Sequence, residues 1–483
     1  MSSFQITITP DVEKRNLLIT WTKDPNVIAL DIQLRRKLKD AAPYFTKRVP
    51  CQDESLTLTP EDYAPGYSQY ALIPRYVSAC PVLAPTEAEP HRQLPFYKQW
   101  TDRPVGNFEA LLGKNASLAS WGNRWGTVGY HFSGVAWTDQ NTVVAYAGDQ
   151  TVLNSNFMSL EAEGVAGPPD GGAITRFWNS SEKNAQKAFA IGSDGSVNIV
   201  RILAPNEHTY NPGSTTNVAP AGSAMTIGGG SICVVYNWLI SSNDDVWDAW
   251  WVTPDGHIMH TESHSAPQTT PKILGRVKVW HDEDRVTALT GQSLRQPNSK
   301  DKNADVIMWF VAKHGTGLKG NLYQSSRIGD ETTTTEVMQD DEECFVAPGS
   351  GISSQCWNKG PVVAWITPEG AVMTLHQDFK VENDPVFREV APAGSAALES
   401  TVCLAGPFIW WFGPNWELMG AAAEDFYKSE VEYKDITWNV WEILPAGVGR
   451  KGKDSIVCGD SGPTRSVWFA GADNKPHSLE LDD

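Results

Sequence analysis

The sequence predicts an all-β chain: a seven-bladed β-propeller preceded by a small β-sandwich. Three observations carry this. An aromatic strand, a tight turn and a second strand recur seven times after about residue 108. A small-residue turn recurs equally often, out of phase with them. The first 84 residues alternate apolar and polar side chains and carry neither pattern.

The strand–turn–strand half reads VAWTDQNTVVAY around Trp137, AFAIGSDGSVNIVRI around Phe189 and DAWWVTPDGHIMHTE around Trp250. It continues as DVIMWFVAKHGTGLKGNLY around Trp309, VVAWITPEGAVMTLH around Trp365, FIWWFGPNWELMGAA around Trp410 and SVWFAGADNKPHSLEL around Trp468. Each apolar run meets a turn rich in Pro, Asp, Asn and Gly before alternation resumes, which is a hairpin pattern. The anchors lie roughly 45 to 61 residues apart, near the length of a propeller blade.

The other half is FEALLGKNAS at Phe108, GPPDGGAIT at Gly167, NVAPAGSAM at Val218, ALTGQSL at Ala288, FVAPGSGIS at Phe345, EVAPAGSAA at Val390 and EILPAGVG at Ile443. The series opens with this half and closes at Leu479 with the hairpin half, so the last blade lacks an outer strand. The segment before Leu112 is placed to supply it. Pairing the two ends closes the ring and removes free sheet edges, which otherwise template aggregation.

Residues 1–84 supply FQITITP, NLLITWTKDP, ALDIQLRRKL, SLTLTPEDY and YSQYALIPRYV, successive strands of a sandwich. With Trp21 in the second strand, Leu58–Pro65 at an inter-strand corner and Tyr70 before an alternating strand, this segment resembles a fibronectin type III module. The resemblance implies a spacer or a module that docks a protein partner. The basic run Arg35, Arg36, Lys37 and Lys39 fits a docking patch or a solvated strand face. Residues 85–105, rich in Pro and charge and poor in pattern, read as a linker, and 106–483 as the propeller.

Composition narrows the function classes. Of 483 residues, 57 are acidic and 39 basic, a net charge of −18 that disfavours nucleic acid and anionic membrane alike. No apolar run approaches the roughly 20 residues that span a bilayer. The start, MSSFQITITP, lacks the basic and apolar regions of a leader, so the expected location is the cytoplasm, or outside it by a leaderless route. The sequons at Asn115 and Asn179 matter only in a secretory setting. The seven cysteines are too few and scattered for a disulfide framework. Cys233, Cys356, Cys403 and Cys458 fall where innermost strands should run, as small buried thiols packed against the next blade.

No phosphate-binding glycine loop, HExxH, GxSxG elbow or paired CxxC is present, and GSDGSVNI at Gly192 reads as a hairpin turn. Asp244 and Asp245 lack the Gly of a calcium loop. Neither metal nor cofactor is expected.

Twenty tryptophans are the remaining chemical signal, since an indole stacks on the C–H face of a sugar while oriented polar groups meet its hydroxyls. Trp137, Trp250, Trp309, Trp365, Trp410 and Trp468 are expected to recur at one blade position and are assigned to packing between blades. Trp247, Trp357, Trp416 and Trp438 break the repeat. Trp416 replaces the turn Gly in GPNWE, and Trp247 lies in NDDVWDAWW. On second strands of the hairpins, Arg201, His260, Glu262, His264, Glu417 and Arg465 are polar candidates. His260, Glu262 and His264 alternate at period two and so share a face, an acid–base or metal-binding trio. The ligand-site set is Trp247, His260, Glu262, Trp416 and Arg465.

The PAGSA turn, aromatic strand and PDG-type hairpin together resemble the fungal fucose-specific lectin family of β-propellers. That resemblance implies glycan pockets between blades, each with an Arg on a second strand, a Glu on a third and aromatics from the next blade. Here Lys187, Asp248, Val362 and Ile409 stand where Arg is expected, and His260, Thr374 and Gly420 near where Glu is expected; Arg465 alone is suggestive. The expectation is a carbohydrate, or a small ligand that stacks on aromatics, bound at non-equivalent sites. Two readings stand beside it: a propeller enzyme of secondary metabolism, of cyclase or pericyclase type, whose pocket holds reactants in near-attack geometry, and a protein-interaction scaffold.

Overall fold

A computed structural model describes residues 6–11, 16–22, 27–35, 45–50, 54–58, 69–76, 92–93, 101–104, 117–125, 130–138, 143–149, 158–162, 173–175, 178–179, 185–206, 209–211, 215–226, 232–236, 247–263, 272–277, 284–293, 306–314, 319–328, 331–339, 342–357, 360–377, 385–405, 408–423, 432–452, 455–458 and 465–481. Among these the chain is all β, with one 3₁₀ turn at Tyr433–Asp435. It divides into two compact units. One comprises Met1–Asp102, Pro463–Arg465 and Leu479–Asp483, the other Arg103–Gly462 and Ser466–Ser478.

The N-terminal strands are β1 (Ile6–Asp11), β2 (Asn16–Trp21), β3 (Val27–Arg35), β4 (Phe45–Pro50), β5 (Ser55–Leu58), β6 (Gln69–Tyr76) and β7 (Arg92–Gln93). They form two sheets, ordered β1-β2-β5 and β4-β3-β6-β7. Period two shows on β2, where Ile19 and Trp21 are buried while Leu18 is 39% exposed. Leu58 on β5, the register partner of Leu17, is also buried. The stretch read as a linker carries β7, paired to β6, and a further strand, β8 (Thr101–Pro104). The Tyr70 side chain and Arg36, Lys37 and Lys39 lie outside the described residues.

Seven sheets follow among the described residues. The first is β9–β12 (Ala119–Trp125, Tyr130–Thr138, Val143–Asp149, Met158–Ala162). The second is β13–β17 (Trp178–Asn179, Ala185–Ile191, Val197–Asn206, Thr209–Asn211, Thr215–Ala219). The third is β18–β21 (Ile232–Tyr236, Trp247–Val252, Ile258–Ser263, Lys272–Val277). The fourth is β22–β25 (Asp284–Ser293, Val306–His314, Gly320–Ile328, Glu331–Glu336). Beyond it lie a hairpin, β26–β27 (Met338–Gln339, Glu342–Glu343), and β28 (Phe345–Val346), which pairs with β24. The fifth is β29–β32 (Ser353–Trp357, Gly360–Ile366, Val372–His376, Val386–Ala391) and the sixth β33–β36 (Val402–Ala405, Phe408–Phe412, Leu418–Ala423, Trp438–Leu444). The last joins β37–β39 (Ile456–Cys458, Arg465–Ala470, Pro476–Leu481) to β8, in the order β37-β38-β39-β8. First strands pack side by side, β18 on β22, β22 on β29, β29 on β33 and β33 on β37, and β37 returns to β9.

Strand alternation gives each sheet one face for the neighbour before it and one for the neighbour after. In the third sheet Trp247, Ala249 and Trp251 pack with Phe189 and Ile191 of the second. Cys233, Val235 and Trp250, on the opposite face, pack with Val306, Met308 and Phe310 of the fourth. Trp309 then meets Val363 and Trp365 of the fifth, whose Val362 and Ala364 meet Ile409 and Trp411 of the sixth. A polar substitution on either face therefore meets a neighbouring sheet and not water.

The small-residue turn acts as a zipper. In PAGSA at 392–396, the Gly394 N–H donates to Glu369 O (2.8 Å) and Ala396 N–H to Gly370 O (2.9 Å), both in the hairpin of the same sheet. Ala397 N–H then donates to Phe412 O of the next sheet at 2.9 Å. The equivalent bonds of 220–225 are Gly222 to Asp194 (2.8 Å), Ala224 to Gly195 (2.9 Å) and Met225 to Val252 (2.8 Å). The turn glycines Gly222, Gly394 and Gly447 sit at φ +78°, +82° and +83°, a conformation that a Cβ disfavours.

Three expectations are corrected. The repeat tryptophans do not share one position. Trp250, Trp410 and Trp468 precede their hairpin turn residue by three, but Trp365 precedes its own by two and matches Trp251 and Trp411 on the opposite face. ALTGQSL at Ala288 is not a turn: its described residues, 288–293, are part of β22. There Gly291 lets the strand approach β18, since a Cβ would meet Val235 at 2.9 Å. FVAPGSGIS is not the zipper turn. Ala347 N–H bonds Ile366 O as Ala397 bonds Phe412, so Pro348–Ser350 match Leu398–Ser400, one turn further along.

All four flagged cysteines lie on first strands, but only Cys233 and Cys403 share a register, opposite Trp250 and Trp410. Cys356 pairs across with Pro361 and Cys458 with Val467. The Cys233 and Cys403 side chains are buried.

Candidate functional site between the third and fourth sheets

The hairpins provide a common ruler. In five sheets the second strand is followed by a residue whose N–H donates to the carbonyl four residues later. These bonds run from Gly192 to Ser196 (2.8 Å), Thr253 to His257 (2.8 Å), Thr367 to Ala371 (2.9 Å), Gly413 to Glu417 (2.8 Å) and Gly471 to Lys475 (2.8 Å). Five residues before each anchor stand Lys187, Asp248, Val362, Phe408 and Ser466, the positions where the lectin resemblance implies Arg. Seven after it stand Ile199, His260, Thr374, Gly420 and Ser478, where it implies Glu. The ruler moves two expectations by one residue, from Ile409 to Phe408 and from Arg465 to Ser466. Among these five sheets no Arg–Glu pair remains.

The third sheet keeps an ionisable pair. Asp248 on β19 is fully buried, His260 on β20 is 8% exposed, and Asp248 Oδ1 lies 2.7 Å from His260 Nε2. Trp250 stacks on the imidazole with centroids 4.7 Å apart and planes 10° from parallel. Register explains the grouping: Asp248 pairs across with Glu262 and Trp250 with His260, so all four side chains share the face toward the fourth sheet. Glu262, half-buried, also stands in register with Lys272 on β21. An ionised Asp248 can only accept, which fixes the proton on Nε2 and leaves Nδ1 as the acid–base nitrogen. The patch thus offers an oriented imidazole, a carboxylate at its edge and an aromatic wall, enough to bind hydroxyls or move one proton.

The other predicted residues lie elsewhere. Trp247 opens β19 on the opposite face, 4% exposed and edge-on to Phe189 at 5.0 Å, so packing between sheets accounts for it. Trp416 sits in the hairpin turn of the sixth sheet, half-buried, with φ +64°. Glu262 stands near the end of β20 remote from its own hairpin, so the two occupy opposite ends of their strands. Glu417 accepts the Asn415 N–H at 2.8 Å and closes that turn. Arg465 opens β38, and its side chain, like His264 and the side chain of Trp357, lies outside the described residues. Trp438 packs partly buried against the core of the fifth and sixth sheets. Among the described residues no group of three or more His, Cys, Asp or Glu is arranged for a metal.

Asp248 is the residue that reading by motif undervalued. It registered only as a missing Arg, although D-x-W on one strand facing H-x-E on the next is a period-two signal that four side chains meet.

No protein-family model and no curated protein matches the chain. Solved structures do. The BP39L lectin of Burkholderia pseudomallei is 17% identical, with a TM-score of 0.55 over 77% of this chain and 96% of that one. The fold is that of a β-propeller. The propeller is also similar to the six-bladed fucose-recognising lectin of Aleuria aurantia (12% identity, TM-score 0.39, 77% and 93% covered). A third likeness is the Swd1 propeller domain of Myceliophteria thermophila (8% identity, TM-score 0.44, 79% and 99% covered). No helix among the described residues is long and apolar enough to cross a membrane.

Proposed function

We propose that this chain is a lectin-like binding protein. It is read as a ring of seven blades, closed by β8, with a small number of non-equivalent sites for carbohydrate or a small hydroxylated ligand. The observation that carries this reading is the Asp248–His260 pair, which stands at the two positions the resemblance assigns to the sugar clamp, with Glu262 on the same face toward the next blade. Residues 1–84 are read as a fibronectin type III-like module. The sheet orders β1-β2-β5 and β4-β3-β6-β7 and the buried Trp21 support that assignment and a role as partner-docking element or spacer.

A hydrogen bond to a charged group contributes about 1.5–3 kcal/mol. Glu262→Gln is therefore expected to weaken binding about tenfold or more in calorimetric titration with a ligand selected from a glycan array. An array and a panel of methyl glycosides that retain no ligand would overturn the reading.

The buried carboxylate behind an imidazole also favours a second reading, an enzyme that uses His260 as base or acid. Turnover of a small-molecule substrate that His260→Gln abolishes, with no glycan bound, would select it over the first.

A further inference from the structure

Hairpin turns of the propeller need one residue in the left-handed region. Gly195, Gly256 and Gly370 fill it at φ +76°, +81° and +79°, and Asn474 fills it in the last sheet at +59°. Glycine and asparagine are the residues that tolerate this region. In the sixth sheet the position is held by Trp416 at +64°. Its place in the turn is unambiguous: Trp416 N–H donates to Gly413 O at 2.9 Å and its carbonyl accepts from Gly449 at 2.9 Å, like the glycines of the other zippers. A bulky side chain held against its backbone preference points to function.

The surroundings describe a platform. Phe412 backs the indole, with centroids 6.0 Å apart and planes at 51°, and Phe469 of the next sheet stands behind Phe412 at 6.1 Å. The indole is only half-buried, so part of it meets solvent. Polar groups are tied to the same turn by backbone bonds. Glu417 is anchored to Asn415, Gly447 N–H donates to Asn415 O at 2.9 Å, and Arg450 follows the Gly449 that bonds Trp416. Arg450 Nη1 reaches Asn474 Oδ1 at 3.3 Å. Burial lowers the Arg450 guanidinium to about 10, the mark of a cation held partly out of water beside this turn.

We infer that Trp416 is the stacking floor of a second binding site, at the hairpin end of the sixth and seventh sheets, for the C–H face of a neutral pyranose, with Arg450 and Asn474 at its polar edge. The inference rests on the lectin-like reading but not on the Asp248–His260–Glu262 group, which lies at the other end of the strands. It also differs from a clamp between blades, since its aromatic comes from a turn and not from a strand face.

The test uses the full chain and a panel of neutral methyl pyranosides, with two readouts: binding by calorimetry and protection of Trp416 from hydroxyl-radical oxidation, read by mass spectrometry. A bound pyranoside should protect Trp416. Trp416→Gly should remove that binding at least tenfold without lowering Tm, because glycine relaxes the turn. Trp416→Asn, the residue the seventh sheet uses, should do the same and guards against a folding defect peculiar to one variant. Pyranoside binding that leaves Trp416 unprotected and unaffected by either variant would overturn this site while the lectin-like reading stands. Failure of the wild-type chain to bind any pyranoside by either readout would overturn both.

Discussion

The Asp248–His260 pair shows how one residue position changes what a blade can do. An Arg there would present donors to a ligand, whereas Asp248 presents an acceptor and has its own donor 2.7 Å away in His260. Two ionisable groups removed from water are costly singly and tolerable together. Asp248→Ala, which leaves the His260 Nε2–H buried beside Trp250 without its acceptor, is therefore expected to lower unfolding free energy by about 1.5–3 kcal/mol, measured by denaturant titration. A loss below about 1 kcal/mol would mean that the pair is not buried as described. Period-two spacing made His260 and Glu262 legible in the sequence as neighbours on one face. Asp248 and Trp250 were not, since their grouping depends on which residue of β19 stands opposite His260. Trp247 and Trp250 look alike in a string of letters, but strand parity sends one toward the second sheet and the other toward the fourth.

At the level of the element, the PAGSA turn explains why the repeat has two halves out of phase. The turn belongs to the end of one sheet, bonds to that sheet's hairpin, and then hands the chain to the next sheet through the bond from Ala397 to Phe412. Its glycines are required for different reasons. Gly394 has open space where a Cβ would go, so Gly394→Ala meets only the left-handed penalty of about 1–2 kcal/mol. At Gly370 the added Cβ would lie 2.9 Å from Ala396 O, within the zipper itself, so Gly370→Ala is expected to cost more than Gly394→Ala. Equal unfolding free energies for the two variants would show that the zipper bond does not constrain this turn. The zipper turns at 220–224, 392–396 and 445–449 were legible because their glycines are spaced alike. Residues 288–293 share the composition without the conformation: Gly291 serves close strand packing and has no left-handed φ. Small residues signal both uses, and only the partner strand separates them.

Across the whole molecule, the propeller arrangement was carried by repetition, and the repetition also hides its function. Five hairpins share one hydrogen-bond ruler, yet the two positions that a repeated sugar clamp would use differ in every one of those sheets, from Lys187 and Ile199 to Ser466 and Ser478. A regular scaffold with irregular site positions predicts few sites, each of its own chemistry: one at the third sheet through Glu262 and His260, and one at the turn of Trp416. The most direct measurement is the number of ligands bound per chain, by native mass spectrometry with a pyranoside that the wild-type protein retains. The expected number is about one or two per chain. No binding, or three and more equivalent ligands spread around the ring, would contradict it.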